Sequence, residues 1–144
     1  IKNLSKEINF VVVKGDPGGS YEERIGNILI KDWAENRASL LKACDLVISR
    51  CGHGTISEIV VYGKPSILIP QPNQPEQYVN ARGCESLGIG KVIEQNKLDS
   101  ESLYSAIMEL TSNEKVNEKL KKLQELSKEY DGTKRILERV LEFK

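Results

Sequence analysis

A glycine-rich turn followed by a helix-forming segment is the part of this sequence best suited to chemistry. Residues 50–54 read Arg-Cys-Gly-His-Gly and lead into Thr-Ile-Ser-Glu at residues 55–58. Glycines let a backbone approach a ligand closely, and the first turn of a helix offers unpaired N–H groups and a partial positive charge. The turn therefore predicts an anion site, and a phosphate or diphosphate would suit it.

Two well-known phosphate-binding motifs do not fit this turn. A dinucleotide fingerprint needs a third glycine where Ser57 stands, and it needs an acidic residue at the end of the next strand, which instead runs into Pro70. A P-loop needs a hydroxyl residue after Gly-Lys, but Pro65 follows Lys64. Thr55 and Glu58 also have the spacing of a helix capping box, which is a purely structural alternative.

The cysteines and the single histidine are weaker candidates for a functional site. Cys44, Cys51 and Cys84 are odd in number and lack Cys-x-x-Cys spacing, so neither a disulfide framework nor a cysteine zinc site is predicted. Reduced thiols in the cytoplasm are the better interpretation, with Cys44 and Cys84 in the core. A catalytic pair of Cys51 and His53 is disfavoured because residues two apart in a tight turn rarely orient that way. We predict neither a metal nor a cofactor.

The elements that must position the turn alternate between short apolar runs and helical segments. Predicted strands cover residues 8–13, 27–30, 45–49, 66–69 and 91–93, and predicted helices cover residues 34–43, 55–62 and 76–87, the last two ended by Gly63 and Gly88. Residues 14–24 carry turn residues and are predicted to be a loop. This order predicts a doubly wound, Rossmann-like α/β fold with a parallel sheet.

Beyond Asp99 the pattern changes to helices only, over residues 99–110, 114–130 and 132–143. The middle one places Val116, Leu120, Leu123 and Leu126 on one face and charged residues opposite, as in a helix with one solvated face. We therefore predict one domain over residues 1–144, with a core at about 8–112 and extra C-terminal helices at about 114–143.

Charge and length exclude several classes of protein. The chain has 144 residues, with 21 Lys and Arg against 21 Asp and Glu. Zero net charge disfavours a nucleic-acid partner, because such proteins bind by neutralising phosphates. No apolar run approaches the roughly 18 residues that a membrane span needs.

Four motifs in order give the sequence a family resemblance. They are residues 43–58, residues 63–70 (Gly-Lys-Pro-Ser-Ile-Leu-Ile-Pro), residues 77–81 (Gln-Tyr-Val-Asn-Ala) and the Leu-Gly pair at residues 87–88. Over about residues 27–112 the chain resembles the donor-binding C-terminal domain of GT-B glycosyltransferases. It is most similar to those that add N-acetylglucosamine to the undecaprenyl-linked peptidoglycan precursor or make dolichol-linked chitobiose.

The resemblance implies a role for each matching residue. Gly52, His53, Gly54 and Thr55 match the turn that binds the nucleotide diphosphate, and Glu58 matches the glutamate that accepts hydrogen bonds from both ribose hydroxyls. Gln77 and Asn80 match the pair near the donor sugar. The segment at residues 31–35 matches the one that reads uracil, with Trp33 as an apolar wall or, equally, a core residue.

Two positions depart from the common family pattern. Glu76 stands where relatives often have Asp, His or Gln, which leaves the sugar contacts open. Arg50 stands where many members have a phosphate-binding His, but a Ser-Arg pair like Ser49-Arg50 is found in the peptidoglycan-type members. The family's domain also begins with a strand and a Gly-rich loop that precede the segment at Ile8, and we expect both to be missing from this chain.

The resemblance implies metal-independent, inverting transfer of a sugar, with N-acetylglucosamine expected, from its UDP derivative to a lipid-linked acceptor. The general base would lie outside this chain, on an N-terminal acceptor domain or a separate acceptor-binding subunit. The expected location is cytoplasmic, peripheral to the inner face of the membrane through that partner. Two alternatives stay open, a non-catalytic nucleotide-sugar-binding subunit and a nucleotide-sugar 2-epimerase.

Overall fold

A computed structural model describes residues 4, 6 and 8–143 of the chain and confirms the α/β class. The strands are β1 (Phe10–Val13), β2 (Glu22–Ile25), β3 (Ile28–Lys31), β4 (Val47–Ser49), β5 (Ser66–Leu68) and β6 (Gly90–Val92). The helices are α1 (Arg37–Ala43), α2 (His53–Tyr62), α3 (Pro75–Leu87), α4 (Ser100–Thr111), α5 (Glu114–Glu129) and α6 (Gly132–Glu142). A short 3-10 helix, Gln95–Lys97, precedes α4.

The strands form two sheets of three strands each. The first sheet has the order β1-β3-β2 and the second sheet the order β4-β5-β6. The predicted parallel pairing is confirmed between β1 and β3 and throughout the second sheet.

The strand β2 corrects the sequence prediction, which placed a loop over residues 14–24 and a parallel sheet throughout. It pairs antiparallel with β3, and the turn between the two strands has Gly26 at φ 58°. All four β2 residues are exposed, so the segment has no apolar run to reveal it as a strand. Backbone pairing at a sheet edge makes it a strand, without any burial of its side chains.

The core is one apolar cluster that joins both sheets to the helices α2, α3, α4 and α5. Its fully buried members include Ile59 of α2 and Ile67 and Leu68 of β5. Cys84 is buried as predicted, whereas Cys44 is only half-buried, at the end of α1. Burial is the first cause that raises the pKa of each of these two thiols.

Local capping explains where several helices begin and end. The helices α2 and α3 end, as predicted, at Gly63 and Gly88, whose φ values of 61° and 68° suit a residue without Cβ. The helix α1 begins at Arg37, later than predicted, because the Asn36 side chain accepts a hydrogen bond from the backbone N–H of Ser39.

The C-terminal helices differ in how they pack. Val116 and Leu120 of α5 are buried, and Gln124 Nε2 donates to the Val61 carbonyl of α2 at 2.7 Å, while Leu126 is 52% exposed. The α6 helix has no buried residue. Among the described residues, no helix combines the length and the apolar character that crossing a bilayer requires.

Candidate functional site

The glycine-rich turn joins β4 to α2 at the carboxyl end of the second sheet. Gly52 is the N-cap of α2, with φ −64° and ψ 147°, and the first helical hydrogen bond runs from the Ile56 N–H to the Gly52 carbonyl at 3.1 Å. Thr55 is thus a residue of the first turn and not the N-cap, so the capping-box alternative is wrong. Because glycine has no side chain to accept from the first-turn N–H groups, those groups can face a ligand.

Cys51 holds the turn in a strained shape. Its φ is 66°, a left-handed conformation that costs a non-glycine residue roughly 1–2 kcal/mol. The Asn80 side chain of α3 donates through Nδ2 to the Cys51 carbonyl at 3.0 Å, and the Cys51 side chain is fully buried. Packing and this hydrogen bond therefore fix the backbone that presents Gly52 and the helix start, as is common at functional sites.

The same burial makes Cys51 a poor nucleophile. Desolvation, with a further contribution from nearby Cys84, raises the pKa of the Cys51 thiol to about 11. Only a thiolate is strongly nucleophilic, so Cys51 stays unreactive at neutral pH. His53 is exposed, whereas Cys51 is enclosed. The catalytic Cys51–His53 pair considered from sequence is thereby disfavoured.

Glu58 and Thr55 share one partner that the sequence analysis did not identify. Arg37 Nη2 lies 2.5 Å from Glu58 Oε2 and donates to Thr55 Oγ1 at 3.1 Å. The contact with Glu58 has the distance of an ion pair but not the geometry of a hydrogen bond, so Oε2, which is shielded from solvent, accepts none from the described residues. The sequence prediction began this helix at residue 34, so it did not single out Arg37, which is the first residue of α1 in the structure.

The two α3 residues predicted near the donor sugar each use one side-chain amide atom in a hydrogen bond within the protein. Gln77 Oε1 accepts from the Gln71 N–H at 2.8 Å and so fixes the proline-rich loop after β5. Asn80 supports the Cys51 turn as described. The other amide atoms, Gln77 Nε2 and Asn80 Oδ1, are the ones that a ligand can use. Glu76 is exposed in the first turn of α3.

The remaining two candidates are Trp33 and Arg50. Trp33 is 45% exposed, in the segment between β3 and α1, so it is not a core residue. Arg50 is exposed and lines a cavity of about 330 Å³ together with Ile48, Ser49, Ile69, Gln95 and Leu98. No residue from Gly52 to Glu58 lines that cavity, and a role of Arg50 in donor binding stays a prediction.

Known proteins resemble this chain in both sequence and architecture. The chain is 40% identical over 103 residues to a UDP-N-acetylglucosamine–N-acetylmuramyl-(pentapeptide) pyrophosphoryl-undecaprenol N-acetylglucosamine transferase of Desulforamulus reducens, covering 70% of this chain and 27% of the relative. It is 30% identical over 141 residues to the enzyme of the same name from a Sulfurihydrogenibium species, covering 94% and 39%. The chain thus spans well under half of either relative.

The solved glycotransferase of kitacinnamycin superposes on 92% of this chain and 34% of its own, with a TM-score of 0.79 and 27% identity. The family model described as glycosyltransferase family 28 C-terminal domain matches residues 7–136, which include both sheets, the turn, Arg37, Glu58 and α3. By this match and by the sequence relatives, the chain belongs to the glycosyltransferase family 28 C-terminal domains.

Proposed function

We propose that this chain is the donor-binding half of a glycosyltransferase that moves N-acetylglucosamine from UDP to a lipid-linked acceptor. The observation that carries the proposal is the set of contacts made by the Glu58 carboxylate. Its Oε2 is shielded from solvent and ion-paired with Arg37 but accepts no hydrogen bond from the described residues, so a ligand hydroxyl can donate to this carboxylate. Two carboxylate oxygens suit the vicinal hydroxyls of a ribose, and Glu58 is on the same helix as the predicted anion site.

The neighbouring groups fit the rest of a nucleotide sugar. The N–H groups of the first α2 turn suit the diphosphate, Trp33 offers an apolar wall for uracil, and the amides of Gln77 and Asn80 suit sugar hydroxyls. As the glycosidic bond breaks, negative charge grows on the leaving UDP. Fixed N–H dipoles at a helix start stabilise such charge, and a single well-placed donor is worth about 3 kcal/mol in other enzymes.

The acceptor side is assigned to another domain or subunit. Both relatives are named for transfer to a pyrophosphoryl-undecaprenol acceptor, and this chain spans 27% and 39% of their lengths. We propose that a partner domain supplies the general base and holds the acceptor at the inner, cytoplasmic face of the membrane. The 144-residue chain alone would then bind donor without turning it over.

Binding selectivity tests the donor assignment. Calorimetric titration of the chain with UDP, UDP-N-acetylglucosamine, ATP and NAD should show the two uridine nucleotides binding most tightly. Equal binding of all four, or binding of none, would contradict the proposal.

A variant at Glu58 tests the ribose assignment. Glu58→Ala should abolish most UDP affinity while lowering the free energy of unfolding by less than about 1 kcal/mol, because an exposed ion pair contributes little stability. Glu125→Ala, which removes an exposed carboxylate from α5, serves as the control and should bind UDP like the wild type. A large loss of stability with unchanged UDP affinity would make Glu58 a structural residue.

A further inference from the structure

The side chain of Arg37 occupies a position that structural needs do not explain. It is the first residue of α1, where a positive charge opposes the helix dipole. Its ion pair with Glu58 is partly exposed, with 54% of the Arg37 side chain and 35% of the Glu58 side chain accessible, and pairs of this kind add little stability. Another reason is needed for a guanidinium at this point.

The two partners of Arg37 belong to adjacent parts of the donor site. Thr55 lies in the first turn of α2, where the diphosphate is proposed to bind, and Glu58 is the proposed ribose ligand. Arg37 reaches both, at 3.1 Å and 2.5 Å, so its guanidinium lies where the ribose joins the phosphates. A guanidinium has five N–H donors in a planar fork that matches phosphate oxygens.

We infer that Arg37 is a donor-binding residue that contacts the phosphates of the nucleotide, an inference that rests on the proposed function. In the unliganded chain Arg37 keeps the Glu58 carboxylate paired. When a nucleotide enters, the ribose hydroxyls take over Glu58 and the guanidinium passes to the neighbouring phosphate. The exchange leaves no charge without a partner, which avoids the cost of a desolvated, unpaired carboxylate.

This role predicts which ligands depend on Arg37. A hydrogen bond to a charged group is worth enough to change affinity roughly tenfold or more. Loss of the guanidinium should therefore weaken UDP and UMP but not uridine, which has no phosphate. Uridine should bind as well as before or better, because it no longer competes with Arg37 for Glu58.

The test compares Arg37→Gln with the wild type, using the whole 144-residue chain. UDP, UMP and uridine are titrated by calorimetry, with quenching of the chain's one tryptophan, Trp33, as a second signal. Arg82→Gln is the matched control, because Arg82 is also an exposed arginine in an ion pair, with Glu85 at 2.7 Å, and it is on the C-terminal part of α3. Urea unfolding of each variant confirms that it is folded.

A roughly tenfold loss for UDP and UMP with uridine unchanged, seen in Arg37→Gln and not in Arg82→Gln, supports the inference. Equal weakening of all three ligands would reduce Arg37 to a residue that positions Glu58, and no weakening would remove it from the site; either result overturns the inference. Wild-type chain that binds neither UDP nor uridine would contradict the proposed function itself.

Two further measurements keep the test decisive where uridine binds weakly or Arg37→Gln folds poorly. The dependence of UDP affinity on salt concentration should be weaker in Arg37→Gln than in the wild type, since one charge contact to phosphate is gone. Arg37→Lys, which keeps the charge but not the planar fork, should retain part of the UDP affinity. An unchanged salt dependence, or an Arg37→Lys chain as weak as a neutral variant, would count against the phosphate contact.

Discussion

The two three-stranded sheets differ in how deeply their strands are buried. In the second sheet, Ser66, Ile67 and Leu68 of β5 are fully buried, with the helices α3 and α4 packed on the strands. In the first sheet, Val11 and Val13 of β1 are 49% and 41% exposed, and every residue of β2 is exposed. We therefore expect truncation of a buried β5 side chain to lower the free energy of unfolding more than truncation of an exposed side chain of β1 or β2.

The candidate site contains residues that follow strands of both sheets. The glycine-rich turn follows β4 of the second sheet, and packing and the Asn80 hydrogen bond define its shape. Trp33 and Arg37 follow β3 of the first sheet, where burial is weaker. We therefore expect the proposed diphosphate side of the site to be rigid before a ligand binds, and the proposed base side, around Trp33, to adjust more.

Truncation of a β5 core side chain should have the largest effect on stability. Ile67→Ala removes a fully buried side chain and should lower the free energy of unfolding by about 2–5 kcal/mol, measured by urea denaturation. Ile48→Ala is the control, because Ile48 pairs with Ile67 across the β4–β5 register but is 37% exposed. It should cost clearly less, and equal losses would contradict the link between side-chain burial and stability on which the comparison of the two sheets depends.

Loss of the side-chain hydrogen bond that supports the turn should have the next largest effect on stability. Asn80→Ala removes the donor to the Cys51 carbonyl, which should cost about 1–2 kcal/mol of stability and also weaken UDP binding, because Cys51 is left in a strained conformation without its partner. Calorimetry and urea denaturation measure the two effects. Val79→Ala, at a neighbouring residue that is 72% exposed, should change neither. Weakened stability with full UDP affinity would show that the turn is rigid without Asn80.

The sequence predicted those elements whose buried side chains form a recognisable apolar pattern along the chain. The runs at β4 and β5 and the glycine stops of α2 and α3 are set by local chemistry, so they were found. The strand β2 was missed because its pairing partner, and not its side chains, makes it a strand. Arg37 was missed for a related reason, since its contacts with Thr55 and Glu58 depend on how α1 packs beside α2, which local spacing does not encode.

A buried carboxylate gives the first sheet a dependence on pH. The hydrogen bond from Lys14, at 2.7 Å, and then the backbone N–H of Tyr21, at 2.9 Å, hold the pKa of Asp32 below its ordinary value. Because the folded pKa is below the unfolded one, this stabilisation is complete above about pH 4 and is lost as pH falls through the folded pKa.

The variant Asp32→Asn tests that assignment. The difference in unfolding free energy between wild type and variant should be constant near neutral pH and should shrink below about pH 4, as followed by urea denaturation at several pH values. Asp45→Asn, at a residue exposed before β4, is the control. A difference that grows towards acid pH would reverse the sign and reject the role of Asp32.

Removal of α6 should have the smallest effect, although the helix is strongly amphipathic. Its apolar residues Ile136, Leu137, Val140 and Leu141 are 57–67% exposed, so they bury little surface against the rest of the chain. A chain that ends at Tyr130 should keep its unfolding free energy within about 0.5 kcal/mol and its UDP affinity unchanged. A clear loss of stability would mean that this apolar face packs on the domain in solution. The α6 helix would then belong with the well-buried second sheet and not with the exposed elements of the chain.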